Sequence, residues 1–464
     1  MMPQDSIQQV IDTIDTIAND SVAQELVQQT AKANADSNTG LVIAFIGLLI
    51  FAAHLFTEIF SRKRIPDVLL LMIIGLFLGP IFHLVKPEYF GSVASVFTTI
   101  TLVIILFQSG TELNFNTLLN SIRGTAKLTL INFFITKIVV ALLRLIVKLD
   151  FLTSLMLGAI LGGTSSAVVI PMVSQLKISQ KGGTILILES AFSDVLCIVF
   201  AWADLQAIQS GGAMNVGKVL GDIISSFILA TVIGVISAIL WSYVLERVRH
   251  VKNSILTTPA FVFIVYGFNE WLGFSGAIAA LAFGIGMANI DSMYNSGIVI
   301  KKMFKNGEPT KLNETEKQLF SEVVFLLKTF FFVYIGVSIQ LNQLVPILMG
   351  LAIAVVLFAL RIPIVMASVH SKKDSTMPIE DKIFMSGIVP KGLAAAVLAT
   401  IPVQKGIEGG EMIQNIVFAV ILFSIIFTSV LVPVLEKDNA ISRFYKRWFT
   451  PKKDPTLKEI LEDE

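Results

Sequence analysis

The stretch that decides the fold reads Gly183-Thr-Ile-Leu-Ile-Leu-Glu-Ser-Ala-Phe-Ser-Asp-Val-Leu-Cys-Ile-Val-Phe200, and it carries an aspartate, Asp194, inside an apolar segment. In a helix, Asp194 would lie about 16 Å from Gly183, near the centre of a hydrocarbon core roughly 30 Å thick. A carboxylate at that depth costs at least ~2.5 kcal/mol, so intramembrane acids usually have a function. The stretch therefore predicts a membrane-spanning helix with a site for a proton, a cation or both.

Two features near this aspartate support a transport site. Ser190 precedes Asp194 by one helical turn on the same face, and Glu189 lies on the same helix. Upstream, the run Gly162-Gly163-Thr164-Ser165-Ser166 interrupts a second apolar segment. A broken helix beside a buried acid is typical of secondary transporters.

The composition places the whole chain in a membrane. Of 464 residues, 54% are hydrophobic and 15% are charged, with a mean hydropathy of +0.78, whereas soluble domains carry about 25% charged residues. The net charge of +1 gives no field that would attract nucleic acid. The single cysteine, Cys197, and four histidines without metal-ligand spacing predict no disulfide within the chain and no transition-metal site. We expect no cofactor, apart from the transported ions.

Hydrophobic segments divide the chain into thirteen expected spans. Their approximate limits are 40–60, 66–82, 91–112, 126–147, 150–171, 183–205, 217–245, 255–271, 274–291, 319–340, 344–369, 381–401 and 411–434. With the N-terminus outside, 25 of the 35 Lys and Arg residues fall on the inside, 4 outside and 6 within spans. This asymmetry supports thirteen spans with the C-terminus in the cytoplasm. It predicts a polar outer segment over residues 1–38, a membrane domain over 39–435 and a short cytoplasmic tail over 436–464.

The segments also predict an internal repeat. Span five breaks at 162–166, and span twelve breaks at Gly387-Ile-Val-Pro-Lys-Gly392. Pairing these two breaks offsets the copies by seven spans, and an odd offset inverts the second copy in the membrane. Spans 1–6 and 8–13 would then be inverted six-helix repeats with crossed broken helices, joined by span seven. Gly-rich packing faces that recur in any helix bundle are the alternative explanation.

The break and the aspartate together favour a site for a monovalent cation. Residues Thr164, Ser165 and Ser166 offer hydroxyls and freed carbonyls, and Asp194 with Ser190 and Ser193 would complete an oxygen shell. Without a cation, the buried carboxylate would take up a proton, because burial disfavours its charged form. One site that holds either ion, never both, is sufficient for exchange. The alternative for Asp194 is a buried ion pair that only fixes packing.

Other buried polar groups have weaker functional indications. Arg361 lies deep in span eleven and needs an anionic partner, for which Glu189 is a candidate in either a structural or a transport role. Lys391, at the span-twelve break, would neutralise half-helix carbonyl ends. Gln108 would either line the site or form an interhelical hydrogen bond. No partner is evident for Lys137 or Lys328.

These residues resemble the monovalent cation:proton antiporter superfamily, closest to its sodium/proton exchanger branch, over nearly the whole membrane domain. Four stretches carry the resemblance, namely Ile65-Pro66…Gly75…Gly79-Pro80, Thr164-Ser165-Ser166, Glu189-Ser190…Ser193-Asp194 and Pro390-Lys391-Gly392. The resemblance implies that Asp194 and the threonine region of the break bind the ion, with Ser190 contributing. It also implies a pairing of Glu189 with Arg361.

The fold that the resemblance implies is an all-α homodimer in the cell membrane with elevator-type alternating access. The mobile core would comprise spans over 126–205 and 344–434, the scaffold would comprise spans over 40–112 and 255–340, and 217–245 would link them. This chain has Ser193 where the branch usually has Asn or Asp, which favours electroneutral exchange. Two further departures bear on the identity of the transported cation: the break reads Gly-Thr-Ser-Ser, and Gln108 stands where some exchangers carry glutamate. The cation could therefore be Na⁺, Li⁺ or K⁺, with Na⁺ preferred.

Three other classes compete with the antiporter. A cation-coupled symporter of a small organic solute can share this fold logic, but it would need a roomier polar cavity. A channel would need a filter-like motif, which the sequence lacks. An intramembrane aspartyl protease would need a second mid-span aspartate, whereas Asp204 and Asp222 lie near span ends. The sequence therefore predicts a transporter rather than an enzyme, with a role in pH homeostasis.

Overall fold

The computed structural model describes most of the predicted membrane domain. The described residues are 44, 47–56, 58, 66–87, 91–113, 115–142, 144, 149–210, 216–250, 254–296, 309–369 and 377–450. The predictions for residues 1–38 and for the tail beyond residue 450 lie outside them. The chain divides into two compact units, residues 1–56 and 57–464.

Every regular element among the described residues is helical. The first unit contributes α1 (Gly47–Phe56). The second unit contributes α2 (Asp67–Leu76), α3 (Gly91–Thr111), α4 (Phe115–Leu142), α5a (Phe151–Ile160), α5b (Ser166–Gln175), α6 (Gln180–Gln209), α7 (Val216–Arg249), α8 (Thr257–Trp271), α9 (Gly276–Ala288) with a short continuation (Ile290–Ser296), α10 (Glu314–Ser338), α11 (Leu344–Val369), α12a (Ile379–Gly387), α12b (Leu393–Gln404), α13 (Gly410–Glu436) and α14 (Ala440–Phe449).

Each of the thirteen predicted segments coincides with one of these helices or helix pairs. Six described helices are long and apolar enough to cross a membrane alone, and α9 with its continuation makes a seventh. The shorter helices, among them the broken pairs, do not meet that length criterion. The all-helical membrane fold is therefore confirmed, while the exact number of spans stays a prediction.

The two predicted helix breaks are present. Helix α5a ends at Ile160 and α5b begins at Ser166, while α12a ends at Gly387 and α12b begins at Leu393. Glycine explains the first break, because Gly162 and Gly163 weaken a helix and let neighbours approach closely. Proline explains the second, since Pro390 disfavours a helical conformation at the residue before it.

The helices pack in two groups. In one group, α4, α5a and α6 pack together, α11 and α12b pack on α13, and α11 also contacts α4. In the other group, α2 packs on α10, and α3, α7 and α8 pack on α9. Contacts between α6 and α7 and between α12b and both α3 and α10 join the groups. The site described below lies in the first group.

Glycine pairs allow the closest crossings in the second group. A Cβ added at Gly75 would lie 2.8 Å from the Cα of Gly336, and one at Gly284 would lie 3.1 Å from the Cα of Gly110. Neither position tolerates a larger residue without moving a backbone. Helix α2 is thereby held against α10, and α3 against α9, as expected for small residues at membrane helix interfaces.

Three features depart from the sequence prediction. Helix α2 continues as a π-helical turn over Phe77–Ile81, which contains Pro80. Span nine, predicted as one segment, bends by 70° between Ala288 and Ile290. The predicted tail contains a further helix, α14, which the interpretation of residues 436–464 as a short tail missed.

Candidate ion-binding site

The two helix breaks meet at one point. The amide of Ser165 donates to the carbonyl of Pro390 at 2.8 Å, so the first break is bonded directly to the second. A Cβ built on Gly392 would overlap the side chain of Ser165. Only glycine lets the breaks approach this closely, which explains a glycine at that position.

Asp194 lies beside this crossing. Its Oδ2 accepts a hydrogen bond from the Ser166 hydroxyl at 3.3 Å. Ser166 is the first residue of α5b, so the carboxylate faces the positive end of that half-helix. The structure therefore brings Asp194 and the hydroxyl-rich break together, and their sharing of one ion site stays a prediction.

Two further hydroxyls at the break have no hydrogen-bond partner within the described part of the chain. These are Thr164 Oγ1 and Ser165 Oγ, on residues that are 3% and 4% exposed. A buried hydroxyl without a partner is uncommon, and a bound ion, an ordered water or local strain can account for it. Carboxylate and hydroxyl oxygens are the ligands that hard cations prefer. The described residues contain no group of three His, Cys, Asp or Glu side chains placed to hold a metal ion.

The carbonyls freed by the break are largely occupied, which narrows the predicted ligand set. Lys391 Nζ donates to the Gly163 carbonyl at 2.7 Å, and Asn132 donates to the Gly162 carbonyl at 3.4 Å. Lys391 is 1% exposed, and its ammonium group lies at the carbonyl end of the first half-helix, where its position in the sequence predicted it. A cation at this break would rely mainly on side-chain oxygens.

The two serines of α6 have different contacts from Ser166. The Ser193 hydroxyl accepts from the Thr164 amide at 3.0 Å and donates to the Ser190 carbonyl at 3.0 Å. It therefore fastens the break to α6. The Ser190 hydroxyl, expected beside Asp194, donates to the Ile187 carbonyl of its own helix at 2.8 Å.

Glu189 and Arg361 form a fully buried ion pair. The two guanidinium nitrogens reach the two carboxylate oxygens at 2.5 Å each, and both residues are 0% exposed. Arg361 Nε also donates to the Met385 carbonyl of α12a at 3.0 Å. The pair ties α6, α11 and α12a together, and it is the partnership that the resemblance implies.

The surroundings of Asp194 differ on its two sides along α6. On one side, starting one turn or about 6 Å away, Ile198, Trp202 and Gln206 line a cavity of about 200 Å³. Glu270 and Ser275 line its far wall. On the other side, Leu188, Ala191 and Phe192 pack with Leu113 and Ile285 in an apolar cluster. Along α6, a cavity therefore lies on one side of the aspartate and an apolar cluster lies on the other.

Comparison with known proteins decides the family. A family model described as "Sodium/hydrogen exchanger, transmembrane" matches residues 41–437. The chain belongs to this family. It is an integral membrane protein.

Similar proteins include antiporters of two cations. Na(+)/H(+) antiporter 1 of Methanocaldococcus jannaschii is 23% identical over 382 residues, which cover 79% of this chain and 84% of that protein. K(+)/H(+) antiporter NhaP2 of Shewanella sp. (strain ANA-3) is 24% identical over 392 residues, which cover 82% of this chain and 64% of that protein. This member of the exchanger family thus spans about two thirds of the NhaP2 length.

A solved structure shows the same fold. The sodium proton antiporter MjNhaP1 of Methanocaldococcus jannaschii at pH 8 superposes with a TM-score of 0.67 at 21% identity. The superposition covers 85% of this chain and 96% of that chain. It confirms the overall helical architecture of this family member.

Gln108 lies in a separate polar cluster of this exchanger-family chain. Its Nε2 donates to Glu112 at 3.4 Å and to Ser321 of α10 at 3.5 Å. The contact with Ser321 is the interhelical hydrogen bond that was one of the two alternatives for Gln108, whereas the contact with Glu112 is local. The structure does not bring Gln108 into the hydrogen-bonded group around Asp194.

The structure supplies partners for the two mid-span lysines. Lys137 of α4 pairs with Asp204 of α6 at 2.7 Å, and Lys328 of α10 pairs with Asp67 of α2 at 2.7 Å. Sequence reasoning missed both pairs because it placed Asp204 at a span end and gave Asp67 no role. One signal was available, since a lysine within a span pairs with an acid or with backbone carbonyls of the bundle interior.

Proposed function

We propose that the protein is a secondary antiporter that exchanges a monovalent cation for H⁺, with Asp194 as the group that carries either ion. The observation that carries this proposal is the buried carboxylate at the crossing, hydrogen-bonded to Ser166 and close to the unpartnered hydroxyls of Thr164 and Ser165. Such a site offers one negative charge and several hard oxygens. It suits one small cation or one proton, but not both.

The proposed ligand set follows from these contacts. Asp194 and Thr164 hold the cation, Ser165 and Ser166 supply further oxygens, and Ser193 holds the break in place. Ser190 joins the set if its hydroxyl rotates away from the Ile187 carbonyl. Glu189, Arg361 and Lys391 act as a supporting charge network that keeps the surrounding helices fixed.

The single carboxylate also supports the proposed stoichiometry. Ser193, which precedes Asp194, is neutral, and Lys391 is committed to the Gly163 carbonyl. Exchange of one cation for one proton at Asp194 moves no net charge, so the exchange would be electroneutral. Na⁺ is the first candidate, with Li⁺ and K⁺ as alternatives, because the similar proteins include both Na⁺/H⁺ and K⁺/H⁺ antiporters.

We further propose that the site moves in an elevator-type cycle. The helices that carry Asp194, the two breaks and the Glu189–Arg361 pair would form a core that shifts against a scaffold. The helix contacts support inverted repeats. If each helix of the first repeat corresponds to the helix seven places later, the α2–α10 contact corresponds to the α9–α3 contact, and both contacts are present. The cavity on one side of Asp194 and the apolar cluster on the other suit alternating access.

The remaining proposals concern assembly and placement. We propose a homodimer in the cell (inner or plasma) membrane with the N-terminus outside and the C-terminus in the cytoplasm. The unequal distribution of Lys and Arg supports this orientation. In this orientation the cavity beside Ile198 would open to the outside.

Proton flux in proteoliposomes tests the proposal. A pH gradient is imposed, and Na⁺, Li⁺ or K⁺ is added in turn to wild type and to Asp194→Asn. The expected result is that at least one cation dissipates the gradient in wild type only, with no change when the voltage is clamped. Dissipation by the variant would refute the role of Asp194. If no cation acts on either protein, a cation-coupled symporter of an organic solute becomes the better description.

A further inference from the structure

The C-terminal helix α14 has three distinct faces. One face is buried and carries Ser442, Tyr445 and Phe449. A second face is apolar but exposed, and it carries Ile441, Phe444 and Trp448, which are 47%, 52% and 45% exposed. The remaining face is basic and carries Arg443, Lys446 and Arg447. Exposed apolar residues of this size need a partner other than water.

The helix is fixed to the end of α13 rather than trailing from it. Asn439 caps α14 by accepting from the Ser442 amide at 2.8 Å. The same side chain donates to the Val434 carbonyl near the end of α13 at 2.7 Å. The buried face packs on α11, α12a and α13. Helix α14 therefore lies at the level where α13 leaves the membrane.

The exposed apolar face continues into the lipid-facing surface. Ile441 lines one groove with Val355 of α11 and Val430 of α13, which are 51% and 62% exposed. Both α11 and α13 are long and apolar enough to cross a membrane. Their exposed residues therefore meet acyl chains, and the groove, of about 310 Å³, is almost wholly apolar. Because the apolar face of α14 is continuous with this lipid-facing surface, it also faces the bilayer.

The basic residues of α14 indicate which kind of lipid it would bind. Arg443 and Arg447 lie on the polar side of a helix whose other exposed side meets acyl chains, and Lys446 is 3.8 Å from Asp438. An amphipathic helix with basic residues and an interfacial tryptophan binds most strongly to anionic leaflets. Arginine suits the phosphate group because its planar donors match phosphate oxygens.

We propose that α14 is an interfacial helix that binds an anionic phospholipid, with the phosphate on Arg443 and Arg447 and an acyl chain in the groove beside Ile441. Binding does not depend on which ion the protein transports. Helix α14 packs on α12a, which leads into the second break, and on α13, whose Ser424 hydroxyl accepts from the Lys391 amide. A lipid bound to α14 is therefore linked through these helices to the second break. Anionic lipid is therefore expected to change the exchange rate as well as to bind.

Lipid binding to the full chain in detergent tests this inference. Short-chain phosphatidylglycerol and phosphatidylcholine are titrated and bound lipid is counted by native mass spectrometry, with inorganic phosphate as competitor. We expect preference for phosphatidylglycerol, weakened about fivefold per charge removed in R443Q/R447Q. The matched control is Lys317→Gln on α10, which should bind as wild type. Equal binding of both lipids to wild type, an unaffected R443Q/R447Q variant, or full displacement by inorganic phosphate would overturn the proposal.

A second measurement keeps the test independent of folding defects. Brominated phosphatidylglycerol quenches tryptophan fluorescence only at short range, so the difference between wild type and Trp448→Phe reports on Trp448. Quenching of that difference signal in bilayers places α14 in the interface. A difference signal that brominated lipid leaves unchanged would contradict the proposed location, whatever the transport activity.

Discussion

Removing the Glu189 carboxylate is predicted to destabilise the protein strongly. Glu189→Ala leaves the Arg361 guanidinium buried at 0% exposure, with the Met385 carbonyl as its remaining hydrogen-bond partner among the described residues. Breaking a buried ion pair by removing one partner costs about 3–5 kcal/mol, because the remaining charge stays desolvated. This variant removes two charge-assisted hydrogen bonds of 2.5 Å each, which places the expected value in that range rather than below it.

The assay is thermal unfolding of the purified protein, followed by size-exclusion of the surviving fraction. The double variant Glu189→Leu with Arg361→Met removes both charges and should recover most of the loss, because no unpaired charge is left. The control is Glu314→Gln, since Glu314 pairs with Lys317 on an exposed surface, where ion pairs contribute at most about 1 kcal/mol. A Glu189→Ala protein as stable as the control, or a double variant no better than Glu189→Ala, would refute the reasoning.

Three further predictions concern the ion site. Ser166→Ala removes the donor to the Asp194 carboxylate and should raise the apparent KM for the cation about tenfold in the flux assay, since such bonds contribute about 1.5 kcal/mol or more; an unchanged KM would count against Ser166 as a ligand. Gly392→Ala should abolish exchange, because the added Cβ would overlap the Ser165 side chain. Adding Ser165→Gly to that variant should restore part of the exchange. The control variant Gly267→Ala should exchange as wild type, because a Cβ there meets no described atom within 4 Å. Lowering the pH should raise the apparent KM for the cation by up to about tenfold per pH unit at unchanged maximal rate, because proton and cation compete for Asp194; a fall in maximal rate alone would argue against competition.

Much of the helical order follows from composition and pattern. A continuous apolar run of membrane length forces a helix, since unpaired backbone groups are too costly in lipid. The breaks at 162–166 and 387–392 were predictable because glycine and proline stand in otherwise apolar segments. The bend after Ala288 was not predictable from local sequence, and the residue at the bend, Asn289, donates to the Leu113 carbonyl, which is 176 residues away in the chain.

The site shows a similar division between local and long-range information. The proximity of Asp194 to the first break was predictable, since a charge in lipid must meet a polar partner. The orientation of each hydroxyl was not predictable. Ser190 turns to the carbonyl three residues earlier, as serine often does in helices, and Ser193 instead caps the break. Which lysine meets which acid, as in Lys137 with Asp204, also depends on how the helices pack.

Proton release on cation binding tests the central claim most directly. The purified protein is placed in weakly buffered detergent solution, and Na⁺, Li⁺ or K⁺ is added while the pH is recorded. If Asp194 carries either ion, wild type should release about one proton per chain for each cation bound when the carboxyl starts protonated, and Asp194→Asn should bind no cation and release no proton. Cation binding without proton release, or equal release by the Asp194→Asn variant, would contradict the account.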